Sequence, residues 1–433
     1  MEWYFVALIA VTILILLILA GVPIAISLGM LSLSLMMLVL GWERAATVAA
    51  EEVFSFWSSY HLLAVALFIT MGHFLLAGGF AESLFDLASK WLRNLPGGLA
   101  LVSVITCAMF STLSGSSLAT MATVGITAGP QMQKRGYSSR LAYGSIAAAG
   151  GIAHLIPPST IMVLYAMMVE ESAAKALMAG FIPGLVLTVS YSLVVIVWAL
   201  AFKRAAPAEQ SVSWQQRFGV FNKNTISVAA LAIAMFWAIY SGAATVIEAA
   251  GLSAFFAIVL AATLGRIGWA KFLRTLLQSA RTTAVILLIA TGGKMLSWVF
   301  SYYMIPQHLT NWIVQASLHP IMVMIMIQVM WIFLGAIVDT IGVLFITIPI
   351  VWPVVMALGY HPLWLGVMFL INMETGLVTP PMGLGIYTLK SLAPDVPLRD
   401  MFLGALVFCT ADIANLALNL AFPIIALWLP STM

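Results

Sequence analysis

An all-α polytopic membrane protein built from two inverted repeats is the fold class that this sequence predicts. Hydrophobic residues make up 63% of the chain and charged residues only 8%, which is far from the composition of a water-soluble domain. Long stretches without charge are each sufficient for one or two helical spans of about 20 residues. Short motifs also recur at matched spacing in the two halves. Together these observations indicate a helical bundle that is embedded in lipid.

The distribution of charge predicts which helix ends face the cytoplasm. Basic residues cluster in five places: Lys90/Arg93, Lys134/Arg135/Arg140, Lys203/Arg204/Arg217/Lys223, Arg266/Lys271/Arg274/Arg281 and Lys390/Arg399. The positive-inside rule places all five in the cytoplasm. The acidic segments at residues 43–52 and 170–171 then lie outside. Single crossings follow at residues 3–20, 21–40 and 61–79, and the first segment lacks a basic leader, so we expect a retained span rather than a cleaved signal peptide.

Residues 94–133 break this pattern because predicted cytoplasmic charge stands at both ends. The middle reads Ser114-Gly-Ser-Ser. Small polar residues at a midpoint suit the tip of a re-entrant hairpin, since non-helical backbone at membrane depth must be buried in protein or line a watery cavity. We predict a hairpin that opens to the cytoplasm. The alternative is two ordinary helices with a turn at the outer surface.

The remaining segments complete each half. Residues 141–169 cross outward with Pro157-Pro158 in their interior, and residues 176–202 return to a cytoplasmic linker at 203–225. Residues 226–242 and 244–264 cross out and back. A basic amphipathic segment at 269–281 is predicted to lie on the inner surface, and residues 282–300 cross outward.

A repeat becomes visible in the spacing of two motifs. Gly136-Tyr precedes Pro157-Pro158 by 21 residues (136 to 157), and Gly359-Tyr precedes Pro380-Pro381 by the same 21 (359 to 380). Upstream, Gly335 to Gly342 interrupts residues 319–358 and predicts a second hairpin. Each repeat then has five full spans, and because this number is odd, the second repeat enters the membrane in the opposite orientation. The tips of the two hairpins therefore meet near the midplane, beside two broken helices. Secondary transporters bind substrate and ions at such repeat interfaces. The alternative is that the Pro-Pro pairs are simple kinks.

Five motifs resemble those of a known family. They are Leu113-Ser-Gly-Ser-Ser-Leu-Ala-Thr, Lys134-Arg-Gly-Tyr, Ile156-Pro-Pro-Ser-Thr-Ile-Met-Val-Leu-Tyr, Ala179-Gly-Phe-Ile-Pro-Gly-Leu and Asn372-Met-Glu-Thr-Gly-Leu-Val-Thr-Pro-Pro-Met-Gly. Together they resemble the large permease (M, or DctM) subunit of tripartite ATP-independent periplasmic (TRAP) transporters. The resemblance implies an elevator mechanism in the inner (cytoplasmic) membrane, with Na⁺ as the coupling ion and no other cofactor. It also implies a small four-helix membrane subunit (Q, or DctQ), a soluble periplasmic substrate-binding protein (P, or DctP) and small organic acids as substrates. Ala153, His154 and Lys294 depart from the family pattern.

The resemblance also divides the chain into modules. Residues 1–60 form the scaffold helices of the first repeat, and residues 61–202 form its transport module with hairpin 94–133. After the linker at 203–225, residues 226–281 form the second scaffold with the interfacial helix. Residues 282–433 form the second transport module with hairpin 319–358.

Two sodium sites are implied by the same motifs, because hydroxyls and freed backbone carbonyls are hard oxygen ligands. The first uses Ser111 and Ser114 with backbone carbonyls near Ala153, Ile156 and Pro158. The second uses Gly335, Gly376, Thr379 and Met382. Packing is the ordinary role of glycine and proline in membrane helices, and only the paired recurrence of the motifs favours ion binding.

Substrate binding is assigned to hydroxyls at helix N-termini, which attract anions. The candidates are Ser116, Ser117, Ser159 and Thr160, and Asp339 is added to them because it lies at the tip of the second hairpin. Asp339 is one of four ionisable residues in apolar segments, with Lys294, Glu374 and Asp412, and each must be paired, protonated or hydrated. A structural salt bridge of Asp339, for example with Lys294, is the alternative to a binding role.

No catalytic constellation or nucleotide-binding loop appears in the sequence, so we expect a transporter and not an enzyme. A self-sufficient sodium/dicarboxylate-type elevator carrier is the main alternative, because it shares this architecture. A membrane-embedded enzyme or a non-transporting scaffold is a further alternative, which the duplicated hairpins disfavour. Sialic acids, C4-dicarboxylates, keto acids, sugar acids and ectoine-like zwitterions all remain open as substrates.

Overall fold

The structure is a computed structural model that describes residues 2–207, 217, 223–264 and 267–433. Within these ranges all regular secondary structure is helical. Most of the predicted linker at 203–225, together with Arg266, lies outside the described residues. Six of the described helices are long and apolar enough to cross a membrane, and a bent helix pair makes a seventh. The prediction of an all-α polytopic membrane protein is therefore confirmed.

Within the described residues, the first half contains ten α-helices and a short 3₁₀ turn at Ile152–His154. The helices are α1 (Trp3–Leu19), α2 (Ile24–Leu40), α3 (Trp42–Trp57), α4 (Leu62–Ala77), α5 (Phe80–Leu92), α6 (Gly98–Ser114), α7 (Ser117–Lys134), α8 (Ser139–Gly151), α9 (Thr160–Met168) and α10 (Ala173–Ala201). Helix α3 was not predicted as a helix, since its acidic residues were interpreted as an external segment. It meets α4 at a 56° bend.

The described part of the second half contains another ten helices. They are α11 (Lys223–Tyr240), α12 (Val246–Thr263), α13 (Trp269–Tyr302), α14 (Ile305–Gln315), α15 (Pro320–Gly335), α16 (Thr340–Ala357), α17 (Pro362–Val378), α18 (Leu384–Leu392), α19 (Leu398–Ala421) and α20 (Ile424–Ser431). Helix α13 corrects the sequence prediction, because the basic segment 269–281 and the crossing 282–300 form one continuous helix. No proline interrupts it, and its 34 residues extend about 51 Å at a rise of 1.5 Å per residue.

The two halves pack against each other in reciprocal pairs. Helix α2 packs on α13, and α12 packs on α4. The amphipathic helix α5 contacts α11, while its counterpart α14 contacts α1. Helix α7 packs on α18, and α16 packs on α9. Such exchanged contacts are what two copies of one module produce when they are related by a twofold axis.

Candidate functional site

The tip of the first helix pair lies against the Pro157-Pro158 break. Helix α6 ends at Ser114, and Gly115 turns the chain with a φ of 58°, a left-handed conformation that favours glycine. A Cβ atom on Gly115 would stand 2.6 Å from the carbonyl oxygen of Pro158, so only glycine permits this approach. The Thr160 hydroxyl donates to the Gly115 carbonyl at 3.2 Å. The tip and the broken helix therefore form one unit.

The tip of the second helix pair meets the Pro380-Pro381 break in the same way. The amide of Met382 donates to the carbonyl of Ala336 at 3.1 Å. Gly335 and Gly376 touch through their backbones, because a Cβ atom on Gly376 would lie 2.7 Å from Gly335. The structure thus brings the corresponding motifs of both halves into the same local arrangement.

The residues predicted for the first sodium site are buried around the first tip. The Ser111 hydroxyl donates to the Cys107 carbonyl at 2.6 Å, and the Ser114 hydroxyl lies 2.7 Å from that of Thr120. Ala153, Ile156 and Pro158 are buried in the irregular backbone between α8 and α9. Thr120 was missed by sequence reasoning, although its place one helical turn after Ser116 was a usable signal. The binding role of these atoms stays a prediction.

The residues predicted for the second sodium site also converge. Gly335, Gly376 and Met382 meet at the contacts described above, and the Thr379 hydroxyl donates to the carbonyl of Thr375. Their assignment to a cation likewise stays a prediction.

A central cavity of about 410 Å³ joins the two tips. Among the residues predicted to bind substrate, Ser116, Ser117, Thr160 and Asp339 line it. Ser159 does not line the cavity, and its side chain caps α9 by accepting from the amide of Met162 at 3.2 Å. The structure therefore brings four of these five residues together at one cavity.

The opposite wall of the cavity was not predicted. It comes from α4 and α13 and includes His73, Thr282, Ile286 and Ile289. His73 lies 3.1 Å from the Ser279 hydroxyl. His154, one of the departures from the family pattern, lines the cavity as well. No local motif marks this wall, since its members come from helices distant in sequence from the tips.

Asp339 caps helix α16 and does not pair with Lys294. One carboxylate oxygen accepts from the amides of Ile341 and Gly342 at 3.1 and 3.4 Å. Lys294 is instead 4.0 Å from Glu52, and the two belong to α13 and α3. The example of a bridge between Asp339 and Lys294 was therefore wrong, because Asp339 caps α16 and Lys294 lies beside Glu52.

The other two ionisable residues of the apolar segments are buried where the two repeats pack together, since Glu374 lies against Gly151. Glu374 and Asp412 are 2% and 1% exposed. The Tyr191 hydroxyl donates to Asp412. Neither carboxylate lines the central cavity.

Two interrupted helix pairs and two broken helices that meet at a shared cavity define a polytopic membrane transport protein. The fold is similar to that of the Alcanivorax borkumensis YdaH transporter, with a TM-score of 0.63 over 97% of this chain and 99% of that one. Sequence identity between the two is 12%, so this likeness concerns the fold alone.

The sequence comparisons show the family. The family model "Tripartite ATP-independent periplasmic transporter, DctM component" matches residues 11–425, and this chain belongs to that family of large permease subunits in the bacterial inner membrane. It is 32% identical to the C4-dicarboxylate TRAP transporter large permease protein DctM of Pseudomonas aeruginosa, over 88% of this chain and 89% of that protein. It is 29% identical to the sialic acid TRAP transporter large permease protein SiaM of Vibrio cholerae, over 91% of both.

Proposed function

We propose that this chain is the large membrane subunit of a sodium-coupled, binding-protein-dependent importer of small organic acids, and that it works by an elevator mechanism. The observation that carries the proposal is the central cavity, because the tips of both helix pairs and the start of α9 line it together. A single substrate molecule in that space contacts residues from both repeats. This is the place where inverted-repeat transporters bind their cargo.

Sodium coupling is supported by the type of oxygen atoms at the tips. Hydroxyls of Ser111, Ser114 and Thr379 and the carbonyl of Pro158 are hard, uncharged ligands, which suit an alkali cation better than a transition metal. Because each proposed sodium site has few oxygen ligands, removal of one of them should weaken sodium binding. The coupling ion in this proposal is Na⁺, held beside each broken helix.

Carboxylate binding is supported by helix N-termini that face the cavity. Helix α7 begins at Ser117 and α9 begins at Thr160, and both residues line the space. Positive helix-dipole ends and hydroxyl donors favour an anion there. The relatives named above are described as transporters of C4-dicarboxylates and of sialic acid, and both are carboxylates.

Movement of the tips relative to the opposite wall is supported by the chemistry of that wall. Apart from Thr282, the α13 residues that line the cavity are Val285, Ile286 and Ile289, whose side chains form no hydrogen bonds that sliding would have to break.

The predicted membrane topology of the two inverted repeats is tested by cysteine labelling in intact cells. We expect a cysteine at Lys134 to react with an impermeant reagent only from the cytoplasmic side, and one at Glu170 only from the periplasmic side, because the positive-inside rule separates them. Labelling of position 134 from the periplasm would contradict the first re-entrant hairpin.

Dependence on partners is tested by reconstitution. The substrate is first identified as the ligand that raises the melting temperature of the cognate binding protein, starting with succinate and N-acetylneuraminate. Proteoliposomes that contain only this chain should take up no free substrate under an inward sodium gradient. Addition of the small subunit and the loaded binding protein should restore uptake. Robust uptake by the lone chain would favour a self-sufficient elevator carrier.

A further inference from the structure

A second cavity lies away from the transport site, between the C-terminal part of α10 and the middle of α19. It is a groove of about 800 Å³ on the outside of the bundle. Its walls are almost entirely apolar. The main contributors are Leu193, Val194, Val197, Trp198, Phe202 and Val407.

The apolar side chains of this groove are open to the surroundings of the protein. Leu193, Val197 and Phe202 are 56%, 63% and 64% exposed. Residues 193 to 202 form a stripe of about 13 Å along the last turns of α10. Their position on a predicted membrane span means that the medium in contact with them is lipid and not water.

One end of the groove carries two cations. Arg140, at the start of α8, and Arg204, just after α10, both line it. The Arg140 side chain is 53% exposed and contacts Asp400 through its Nε atom at 2.8 Å, so its two terminal nitrogens have no partner among the residues that the structure describes. Arg204 is exposed. The amide of Ser138 donates to the Ala205 carbonyl at 3.0 Å and holds the two arginine-bearing segments together.

We propose that this groove binds an anionic phospholipid of the cytoplasmic leaflet. The apolar stripe accommodates an acyl chain, and the arginines bind the phosphate of the headgroup. Arginine forms paired hydrogen bonds with phosphate oxygens, and basic pockets between membrane helices on the cytoplasmic side select anionic headgroups. Both arginines belong to clusters that the positive-inside rule places at the cytoplasmic surface of the membrane. The positive charge, the apolar surface and the predicted depth in the membrane therefore all fit an anionic phospholipid.

The site would tie together elements of both repeats. Helix α10 closes the first repeat, and α19 belongs to the second. A bound lipid therefore spans the junction between the halves at the point where the chain enters the linker. This role is independent of the proposed substrate and coupling ion.

The test uses the purified full-length chain in detergent, and lipid binding is measured by native mass spectrometry. Dioleoyl phosphatidylglycerol should bind more tightly than dioleoyl phosphatidylcholine, which has the same acyl chains. Arg140→Gln and Arg204→Gln should each weaken phosphatidylglycerol binding about fivefold, and the double variant should remove the preference. Arg274→Gln is the matched control, because it removes an exposed arginine of α13 that does not line the groove.

Two further arms separate a lipid site from other possibilities. Val197→Trp fills the apolar stripe and should weaken phosphatidylglycerol binding with both arginines intact, and an unchanged thermal unfolding curve shows that the variant is folded. Glycerol 3-phosphate at millimolar concentration should not displace the lipid. Equal binding of the two lipids by the natural chain, retention of the preference by the double variant, or displacement by glycerol 3-phosphate would each overturn the proposal.

Discussion

The first interrupted helix pair is closed mainly by side-chain hydroxyls, whereas the second is closed by backbone contacts. At the first tip Ser114 faces Thr120, Thr160 reaches the Gly115 carbonyl, and Pro157-Pro158 is buried. At the second tip two glycines touch, a backbone amide bonds across the gap, and Pro380-Pro381 is exposed. The two tips therefore share the same motif spacing but are held together by different types of contact. Added volume should destabilise both tips, at Gly115 and at Gly376, whereas loss of a hydroxyl should change the packing of the first tip more than that of the second.

The largest effect is expected from added volume at the second tip. Gly376→Ala places a methyl group 2.7 Å from the Gly335 backbone, so α15 and α17 must move apart. Overpacking of this kind costs roughly 1–3 kcal/mol. We expect a clearly lower unfolding temperature and loss of uptake. Gly29→Ala is the control, because a methyl group there meets no atom within 4 Å. Equal stability of the two variants would show that the glycine contact is not needed.

A second prediction separates the two roles available to Asp339. Asparagine caps helices about as well as aspartate, while alanine loses about 1 kcal/mol. Asp339→Asn should therefore keep the unfolding temperature, and Asp339→Ala should lower it. If the carboxylate also takes part in binding, as its place at the cavity leads us to expect, Asp339→Asn should reduce uptake about tenfold. Uptake equal to that of the natural chain would limit Asp339 to capping.

The smallest effect is expected from the ion pair at the outer part of α13. Lys294 and Glu52 are 4.0 Å apart, and the lysine side chain is 49% exposed. Pairs of this kind contribute about 0–1 kcal/mol and are weakened by salt. Lys294→Gln should therefore change the unfolding temperature little, and Glu52→Gln should match it. A large loss from either variant would indicate that the pair is more important than its geometry implies.

Local motifs predicted much of the site because its parts are short and repeated. The Gly-Tyr and Pro-Pro spacing located both breaks, and small polar residues located both tips. What escaped prediction depends on tertiary packing. Helix α3 was missed because its acidic residues resemble those of a surface segment, and α13 was divided because its basic residues resemble an interfacial helix.

The remaining errors concern partners that are far apart in sequence. The apolar wall of α13, the contribution of His73 and the pairing of Lys294 with Glu52 all join segments from different repeats. Neither the hydrophobic periodicity nor the motif spacing of the sequence predicts which helices pack against each other. The twofold packing of α2 on α13 and of α12 on α4 decides it.

Sodium titration of uptake tests most directly whether the two tips hold paired cation sites. The assay compares the reconstituted three-component system containing the natural chain with systems containing Ser114→Ala, Thr379→Ala and the double variant, after confirming that each unfolds at the natural temperature. Each single substitution removes one oxygen from a site that has few, so the sodium concentration for half-maximal uptake should rise severalfold, and further in the double variant. Unchanged sodium dependence in all three variants would contradict the assignment of sodium to the tips.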